Sequence, residues 1–100
     1  MDIRYFESLI AVAELGSIAQ AARAQHLTAA AIGQRITVLE GHFGTVLLDR
    51  SSRNATPSEA CLKLLPHARK LVSDFQAMPA FLESTGLHAY PLRSGHALDE

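Results

Sequence analysis

The chain has 100 residues, with 48% apolar and 19% charged side chains and a formal net charge of −1. This composition is typical of one small globular domain and excludes a highly charged disordered segment. Its aliphatic runs are far shorter than the roughly 18 residues of a membrane span, and its first residues lack the apolar block of a secretory signal, so we expect a cytoplasmic protein.

Two short helices are predicted at the start of the chain. Apolar residues at helical spacing predict the first helix over residues 3–15, and Gly16 is suited to ending it. Ser17 and Gln20 form a capping-box pattern, in which the hydroxyl accepts a free backbone N–H at a helix start. The second helix is therefore predicted over residues 18–25.

A third helix is predicted between Thr28, which can cap its start, and Gly44, which can end it. Because only His26 and Leu27 separate it from the second helix, the pair is a helix-turn-helix candidate. One stripe of this helix is apolar and is expected to pack on the core. The stripe comprises Ile32, Ile36, Leu39 and Phe43.

The pattern changes after the third helix. Residues 46–48 are strand formers, and the polar residues 49–54 that follow carry two arginines, which predicts a small β-hairpin, or wing. Thr56, Pro57 and Glu59 then combine a capping residue, a first-position proline and an acidic residue, which predicts a helix start. The predicted fold is mainly α: a three-helix core with a β-hairpin, ending near residue 56 and followed by a long helix.

The fourth helix is predicted over residues 57–84, with a continuous apolar seam on one side. Pro66 is expected to kink this helix, and Pro79 either to kink it again or to end it near Met78. Residues 85–100 lack periodicity and are expected to form a flexible tail. The seam could be ordinary core, but so short a chain offers it few partners, and we expect it to form a dimer interface. Its members are Leu62, Leu65, Ala68, Val72, Phe75, Met78 and Leu82.

Several short motifs occur in an order and spacing that chance does not readily produce. They are Ala11-Val12-Ala13-Glu14, Gly16-Ser17-Ile18, Ala21-Ala22, Ile36-x-x-Leu39-Glu40, Phe43-Gly44, Leu47-Leu48-x-Arg50, Thr56-Pro57-Ser58-Glu59-Ala60 and Leu64-Leu65-Pro66-His67-Ala68-Arg69. In this order, the chain resembles the N-terminal winged helix-turn-helix of LysR-type transcriptional regulators over residues 1–84.

The resemblance implies a bacterial, sequence-specific DNA-binding regulator of transcription. In such a protein the third helix enters the major groove, the wing touches the flanking backbone, and the fourth helix pairs with its copy in a homodimer. A symmetric dimer reads a roughly two-fold symmetric site in double-stranded DNA. Full-length family members carry an effector domain after the fourth helix. None is expected in this chain, which would be a fragment or a short regulator.

The residues of the third helix that face away from its stripe are the expected DNA contacts. Family members commonly have Ser-Gln-Pro-Ala-Leu-Ser at this helix start, whereas this chain has Thr28, three alanines, Ile32 and Gly33. Fewer polar groups lower base discrimination, although an alanine methyl can pack on a thymine methyl. Gln34 is the best remaining base reader, and Arg35 is expected to contact a phosphate. The expected contacts in this helix are Ala29, Ala30, Gly33, Gln34, Arg35 and Thr37.

Two further groups of residues are candidate phosphate contacts. Ser17 and Thr28 stand at helix starts, where free N–H groups favour anions, and a capping role can coexist with such a contact. The polar residues of the wing can hold phosphates or can form a solvated turn. The resemblance favours phosphate contact for Arg53, whereas Arg50 could equally bridge to Glu40. The candidate contacts in the wing are Arg50, Ser52 and Arg53.

Other classes of function have less support. Cys61, the single cysteine, lies six residues before His67, which puts the two on different faces of a helix, and we expect it to be a small buried group. The histidines show no metal-ligand spacing, so no enzyme activity, metal site or cofactor is expected. The serious alternative is a dimerisation or adaptor module with weakened or lost DNA sequence readout, which the missing polar groups of residues 29–33 motivate.

Overall fold

The apolar faces of four helices meet in the core of the computed structural model, which describes residues 1–51, 54–84 and 86. The predictions of the first three helices are confirmed. The tail predicted over residues 85–100 lies outside the described residues, apart from Gly86. The helices and strands are α1 (Ile3–Leu15), α2 (Ile18–Gln25), α3 (Ala29–Phe43), β1 (Leu48–Asp49), β2 (Thr56–Pro57) and α4 (Glu59–Ser84).

Each of the first three helices begins after a side chain that accepts a backbone N–H. These capping residues are Asp2, Ser17 and Thr28, with donor–acceptor distances of 2.8, 3.1 and 3.0 Å. Each of these helices ends at a residue with left-handed backbone geometry, namely Gly16, His26 and Gly44. The capping roles expected of Ser17 and Thr28 are therefore confirmed.

The wing is a two-stranded antiparallel sheet in which Leu48 pairs with Pro57 and Asp49 pairs with Thr56. The first strand was predicted to begin at residue 46, but β1 begins two residues later, at Leu48, and Val46 is exposed. The predicted helix start at Thr56 and Pro57 is wrong, because both residues belong to β2. The helix α4 begins at Glu59 instead, and Ser58 caps it: the Ser58 hydroxyl accepts the N–H of Cys61 at 3.1 Å.

The core combines the inner faces of α1, α2 and α3 with the wing and the first half of α4. Ile32, Ile36 and Leu39 of the predicted α3 stripe are fully buried. Phe43, the fourth member, is 41% exposed, so its assignment to the core was wrong, and its ring packs edge-on against Phe6 at 6.2 Å. The buried apolar residues are Leu9, Val12, Ala21, Ala22, Ile32, Ile36, Leu39, Leu47, Leu48, Ala55, Cys61, Leu65 and Ala68.

The long helix α4 continues through both Pro66 and Pro79 to Ser84. An end near Met78, one of the two predicted outcomes, is therefore wrong. In the part of the chain that the structure describes, no helix combines the length and the apolar character needed to cross a membrane.

Candidate nucleic-acid interface

A tight turn joins α2 to α3. His26 adopts a left-handed conformation with φ of 58°, and the N–H of Leu27 donates to the carbonyl of Ala22 at 2.9 Å. Thr28 then caps α3 with its hydroxyl, which accepts the N–H of Ala31. The turn leaves Ala29 and Ala30, at the start of α3, exposed at the surface, the position from which a helix approaches base edges.

The outer face of α3 consists mostly of small residues. Ala29, Ala30, Gln34 and Thr37 are exposed, and Gly33 is partly buried. The hydroxyl of Thr37 donates to the carbonyl of Gly33 at 3.0 Å, so it is already engaged. Among the described residues, Gln34 has no partner for its side-chain amide, which leaves one donor and one acceptor group available on this face.

Arg35 lies at the edge of that face but points toward α1. Its Nη1 donates to the hydroxyl of Ser8 at 3.1 Å and to the backbone carbonyl of Arg4 at 3.4 Å. Its guanidinium carbon lies 5.5 Å from the centre of the Tyr5 ring. This side chain therefore binds a neighbouring helix, and the phosphate contact expected of it remains a prediction.

Sequence reasoning missed the polar group at the centre of this contact. Ser8 is fully buried, and its hydroxyl donates to the Oε1 atom of Gln25 at 2.8 Å while it accepts from Arg35. One hydroxyl thus connects α1, α2 and α3. The signal in the sequence was a serine on the inner side of α1, but its partners lie 17 and 27 residues further along the chain.

Glu40 connects α3 to the wing. Its Oε2 atom accepts the N–H groups of Leu47 and Leu48 at 2.8 and 3.2 Å. Its Oε1 atom lies 3.7 Å from Nη2 of Arg50, which is the internal ion pair that the sequence left as one of two options. The Arg50 side chain also lies beside Gly33, since a Cβ added there would be 3.7 Å from its Nη1 atom.

The turn of the wing is only partly described. The backbone and side chain of Ser51 donate to the carboxylate of Asp49 at 2.9 and 2.7 Å, and these hydrogen bonds lower the pKa of Asp49. Ser52 and Arg53, two of the predicted DNA contacts, lie outside the described residues. Their contacts with DNA remain predictions.

The apolar seam of α4 divides into two parts. Leu65 and Ala68 are 5% and 2% exposed and belong to the core of their own chain, so their assignment to a dimer surface is corrected. Val72 is partly buried. Four members of the seam are exposed, as are two other large apolar residues of this helix. The exposed large apolar side chains of α4 are Leu62, Leu71, Phe75, Met78, Phe81 and Leu82.

Among the residues that the structure describes, the other chemistry-bearing side chains form no second site. Cys61 is fully buried, as expected, and burial raises the pKa of its thiol. His67 is exposed. Within the described ranges, no cluster of three or more potential metal-ligating side chains occurs.

Comparisons with known proteins agree with this architecture. The model of the bacterial regulatory helix-turn-helix proteins of the lysR family matches residues 3–62. The nitrogen assimilation regulatory protein nac of Klebsiella aerogenes is 30% identical over 86 residues, which are 86% of this chain and 28% of that protein. An uncharacterised HTH-type transcriptional regulator of Azotobacter vinelandii is 40% identical over 73 residues, 73% of this chain and 51% of that protein. The chain thus spans only part of these curated relatives.

Solved structures with DNA are similar as well. The CbnR_DBD–DNA complex matches with a TM-score of 0.81 at 30% identity, covering 86% of this chain and 99% of that chain. The complex of BenM_DBD with benA site 1 DNA matches with a TM-score of 0.79 at 26% identity, covering 96% of this chain and all of that chain.

Proposed function

Because the chain belongs to the LysR family of bacterial helix-turn-helix regulatory proteins, we propose that it is the DNA-binding part of a transcriptional regulator and reads double-stranded DNA with α3. The observation that carries the proposal is the match of its fold to the CbnR_DBD–DNA complex. Such a regulator works beside the chromosome, in the bacterial cytoplasm, and binds its target without catalysing a reaction.

In this proposal the outer face of α3 enters the major groove, where each base pair presents a distinct pattern of donors and acceptors. The free amide of Gln34 is suited to an adenine, which offers N7 as acceptor and N6 as donor. Ala29 and Ala30 present methyl groups of the kind that pack on thymine. Gly33 and Thr37 complete this face and contribute shape more than hydrogen bonds, since the Thr37 hydroxyl is engaged.

Phosphates fix the position of the protein on the duplex. We assign this role to Arg53 in the wing, to Arg50 beside α3, and to the helix starts at Ser17 and Thr28. The ion pair with Glu40 places Arg50 at the junction of the wing and α3. Its contact with DNA would therefore come from the same guanidinium that holds the wing.

The second part of the proposal is a homodimer formed through α4. A partner would cover the exposed apolar side chains of this helix, above all Phe75 and Met78, which are 51% and 57% exposed. Exposed apolar patches of this kind mark association surfaces. A dimer with two-fold symmetry would then read two half-sites of one operator.

One observation favours the adaptor alternative. The described part of the α3 face has a single free side-chain amide, at Gln34, whereas direct readout usually employs several polar side chains. A protein with this face could dimerise and bind DNA without strong sequence preference. One DNA-selection experiment distinguishes this adaptor from a sequence-specific regulator.

The test is selection of bound duplexes from a random DNA pool, followed by binding measurements over a salt series. We expect a symmetric motif, with affinity that falls steeply as salt rises. Gln34→Ala should cost about 1–3 kcal/mol of discrimination at one position of each half-site, because a bidentate base contact is lost. Gln76→Ala, a matched change on α4, should leave the motif unchanged. Binding without an enriched motif would support the adaptor, and no binding at low salt would overturn the DNA proposal.

A further inference from the structure

The hydroxyl of Ser8 is a buried junction between the two helices of the helix-turn-helix and α1. It donates to Gln25 at the end of α2 and accepts from Arg35 in the middle of α3. Both of its hydrogen-bonding functions are therefore used, in a place from which water is excluded. Breaking one side of such a buried network leaves a polar group unsatisfied, so the network favours one relative placement of the three helices.

Arg35 connects α3 to α1 through its long side chain. Its Nη1 reaches both the Ser8 hydroxyl and the Arg4 carbonyl, and its planar guanidinium lies over the Tyr5 ring. Both hydrogen bonds come from one nitrogen, at the end of a side chain long enough to lie over the Tyr5 ring and still reach the two acceptors. A lysine at this position would keep the positive charge, but its side chain is one atom shorter and ends in a compact ammonium, which would not both cover the Tyr5 ring and place a donor where Nη1 lies.

The anchored residue is the immediate neighbour of the free amide on the outer face. Gln34 and Arg35 are consecutive, only about 1.5 Å apart along the helix axis. The guanidinium of Arg35 holds α3 from the α1 side, while the exposed side chain of Gln34 projects about 100° away around the helix axis. A rotation or slide of α3 that breaks the Ser8 contact must therefore move the Gln34 amide as well.

We propose that Arg35 is a positioning residue, which sets the orientation of α3 against α1 and so controls base discrimination without itself contacting DNA. This inference rests on the proposed function, since it concerns how α3 reads DNA. It assigns Arg35 a role different from that of a phosphate-contacting arginine, and the two roles have different salt dependence. Each phosphate contact adds about one to the slope of log affinity against log salt concentration, whereas a positioning residue adds nothing to it.

The central experiment compares native protein, Arg35→Lys and Ser8→Ala on the selected duplex and on a scrambled duplex over a salt series. Both variants keep every charge and every residue of the outer α3 face. We expect each to lower the preference for the selected duplex about tenfold, as expected for one misplaced base contact. Affinity for the scrambled duplex and the salt slope should equal those of the native protein.

The double variant tests whether the two residues act together. If Arg35 acts through Ser8, Arg35→Lys in the Ser8→Ala background should add much less than its effect in the native protein. Folding is checked by circular dichroism at the assay temperature, because a fully folded variant loses preference only through orientation. Should Arg35→Lys fail to fold, Ser8→Ala alone decides the matter, since it removes a single hydroxyl at a helical position.

The outcomes that overturn the inference are distinct from those that overturn the proposed function. If Arg35→Lys and Ser8→Ala keep the full preference while Arg35→Met lowers the salt slope by about one, Arg35 is a phosphate contact and the positioning role is wrong. A native chain that prefers no duplex contradicts both proposals. A native preference that the variants leave intact contradicts only this one.

Discussion

Glu40 holds the wing to α3 through a single carboxylate. Its Oε2 atom accepts two backbone N–H groups, from Leu47 and Leu48, and its Oε1 atom faces Arg50. Both leucines are buried, so their N–H groups have no easy access to water when this acceptor is removed. We therefore expect Glu40 to stabilise the fold through those two hydrogen bonds more than through its partly exposed ion pair with Arg50.

We therefore expect Glu40→Ala to lower the free energy of unfolding by about 2 kcal/mol or more, since it leaves two buried donors unsatisfied. Glu40→Gln should cost clearly less, because one amide oxygen can accept both N–H groups. Urea denaturation measures both values. Glu59→Ala is the control: this carboxylate is exposed and lies 3.9 Å from the exposed Lys63, so its removal should change stability by less than about 0.5 kcal/mol. If Glu40→Ala and Glu40→Gln lower the free energy of unfolding equally, the ion pair with Arg50 provides the stabilisation instead.

Gly33 is the second residue whose role can be decided. A Cβ added at this position would lie 3.7 Å from Arg50 Nη1, which is ordinary van der Waals contact. Since alanine is the better helix former, Gly33→Ala should stabilise the domain by about 1 kcal/mol and raise its Tm by about 4–8 °C. The control is Gly16→Ala, where φ of +72° makes any Cβ strained and the Tm should fall. A lower Tm for Gly33→Ala would mean that the Arg50 side chain needs the space.

At the scale of elements, the start of α4 depends on Ser58. Its hydroxyl accepts the N–H of Cys61 at 3.1 Å and donates to the carbonyl of Val46 at 2.7 Å. One side chain therefore caps the helix and also binds the segment that precedes the wing. Ser58→Ala should lower the free energy of unfolding by about 1–2 kcal/mol. Thr56→Ala, the change at the cap predicted from sequence, should cost less than about 0.5 kcal/mol because Thr56 is an exposed strand residue. Thermal denaturation of the two variants compares them directly, and a larger loss at Thr56 would restore the original assignment.

The contrast between Ser58, which caps α4, and Thr56, which was predicted to cap it, shows which features of the fold can be predicted from the sequence. The first three helices were predictable because their caps and apolar spacing are local signals, as Ser17 and Gly16 illustrate. Thr56 and Pro57 have the local pattern of a helix start, but in the structure they pair with Leu48 and Asp49 of β1. That pairing depends on residues in the other strand of the wing, which the local pattern does not include. The face of α3 followed from its period of 3.6 residues. The direction of Arg35 did not, because it depends on Ser8, a residue 27 positions away.

At the scale of the whole molecule, α4 lies antiparallel to α1 and extends past it. Arg69 lies 3.5 Å from Glu14, and Gln76 donates to Glu7 at 3.4 Å, so the chain runs in opposite directions along the two helices. The same spacing brings the start of α1 level with residue 80. Phe81 and the last turn of α4 consequently have no neighbour in α1, while the first half of the helix is buried in the core. One helix therefore serves two purposes, with Leu65 and Ala68 in the fold and its later apolar residues available to a partner.

This division changes how the proposed homodimer must be tested. A charge at Leu65 would unfold the domain, because its side chain is buried, and the loss of a dimer would then reveal nothing about the interface. Phe75→Asp combined with Met78→Asp instead alters two exposed side chains. We expect this variant to sediment as a monomer with native helix content, because two carboxylates cannot be buried against a second copy without a large desolvation cost.

The matched control is Ser73→Asp with Ala77→Asp, which adds the same charge at two exposed positions on the opposite side of α4. This variant should remain dimeric in the same sedimentation experiment. If both pairs of substitutions dissociate the dimer, net charge and not the location of the interface is responsible. If the Phe75 and Met78 variant stays dimeric, the partner must bind elsewhere. The two half-sites of the operator would then be spaced by a different surface, and the spacing in the selected DNA motif would have to be explained from that surface.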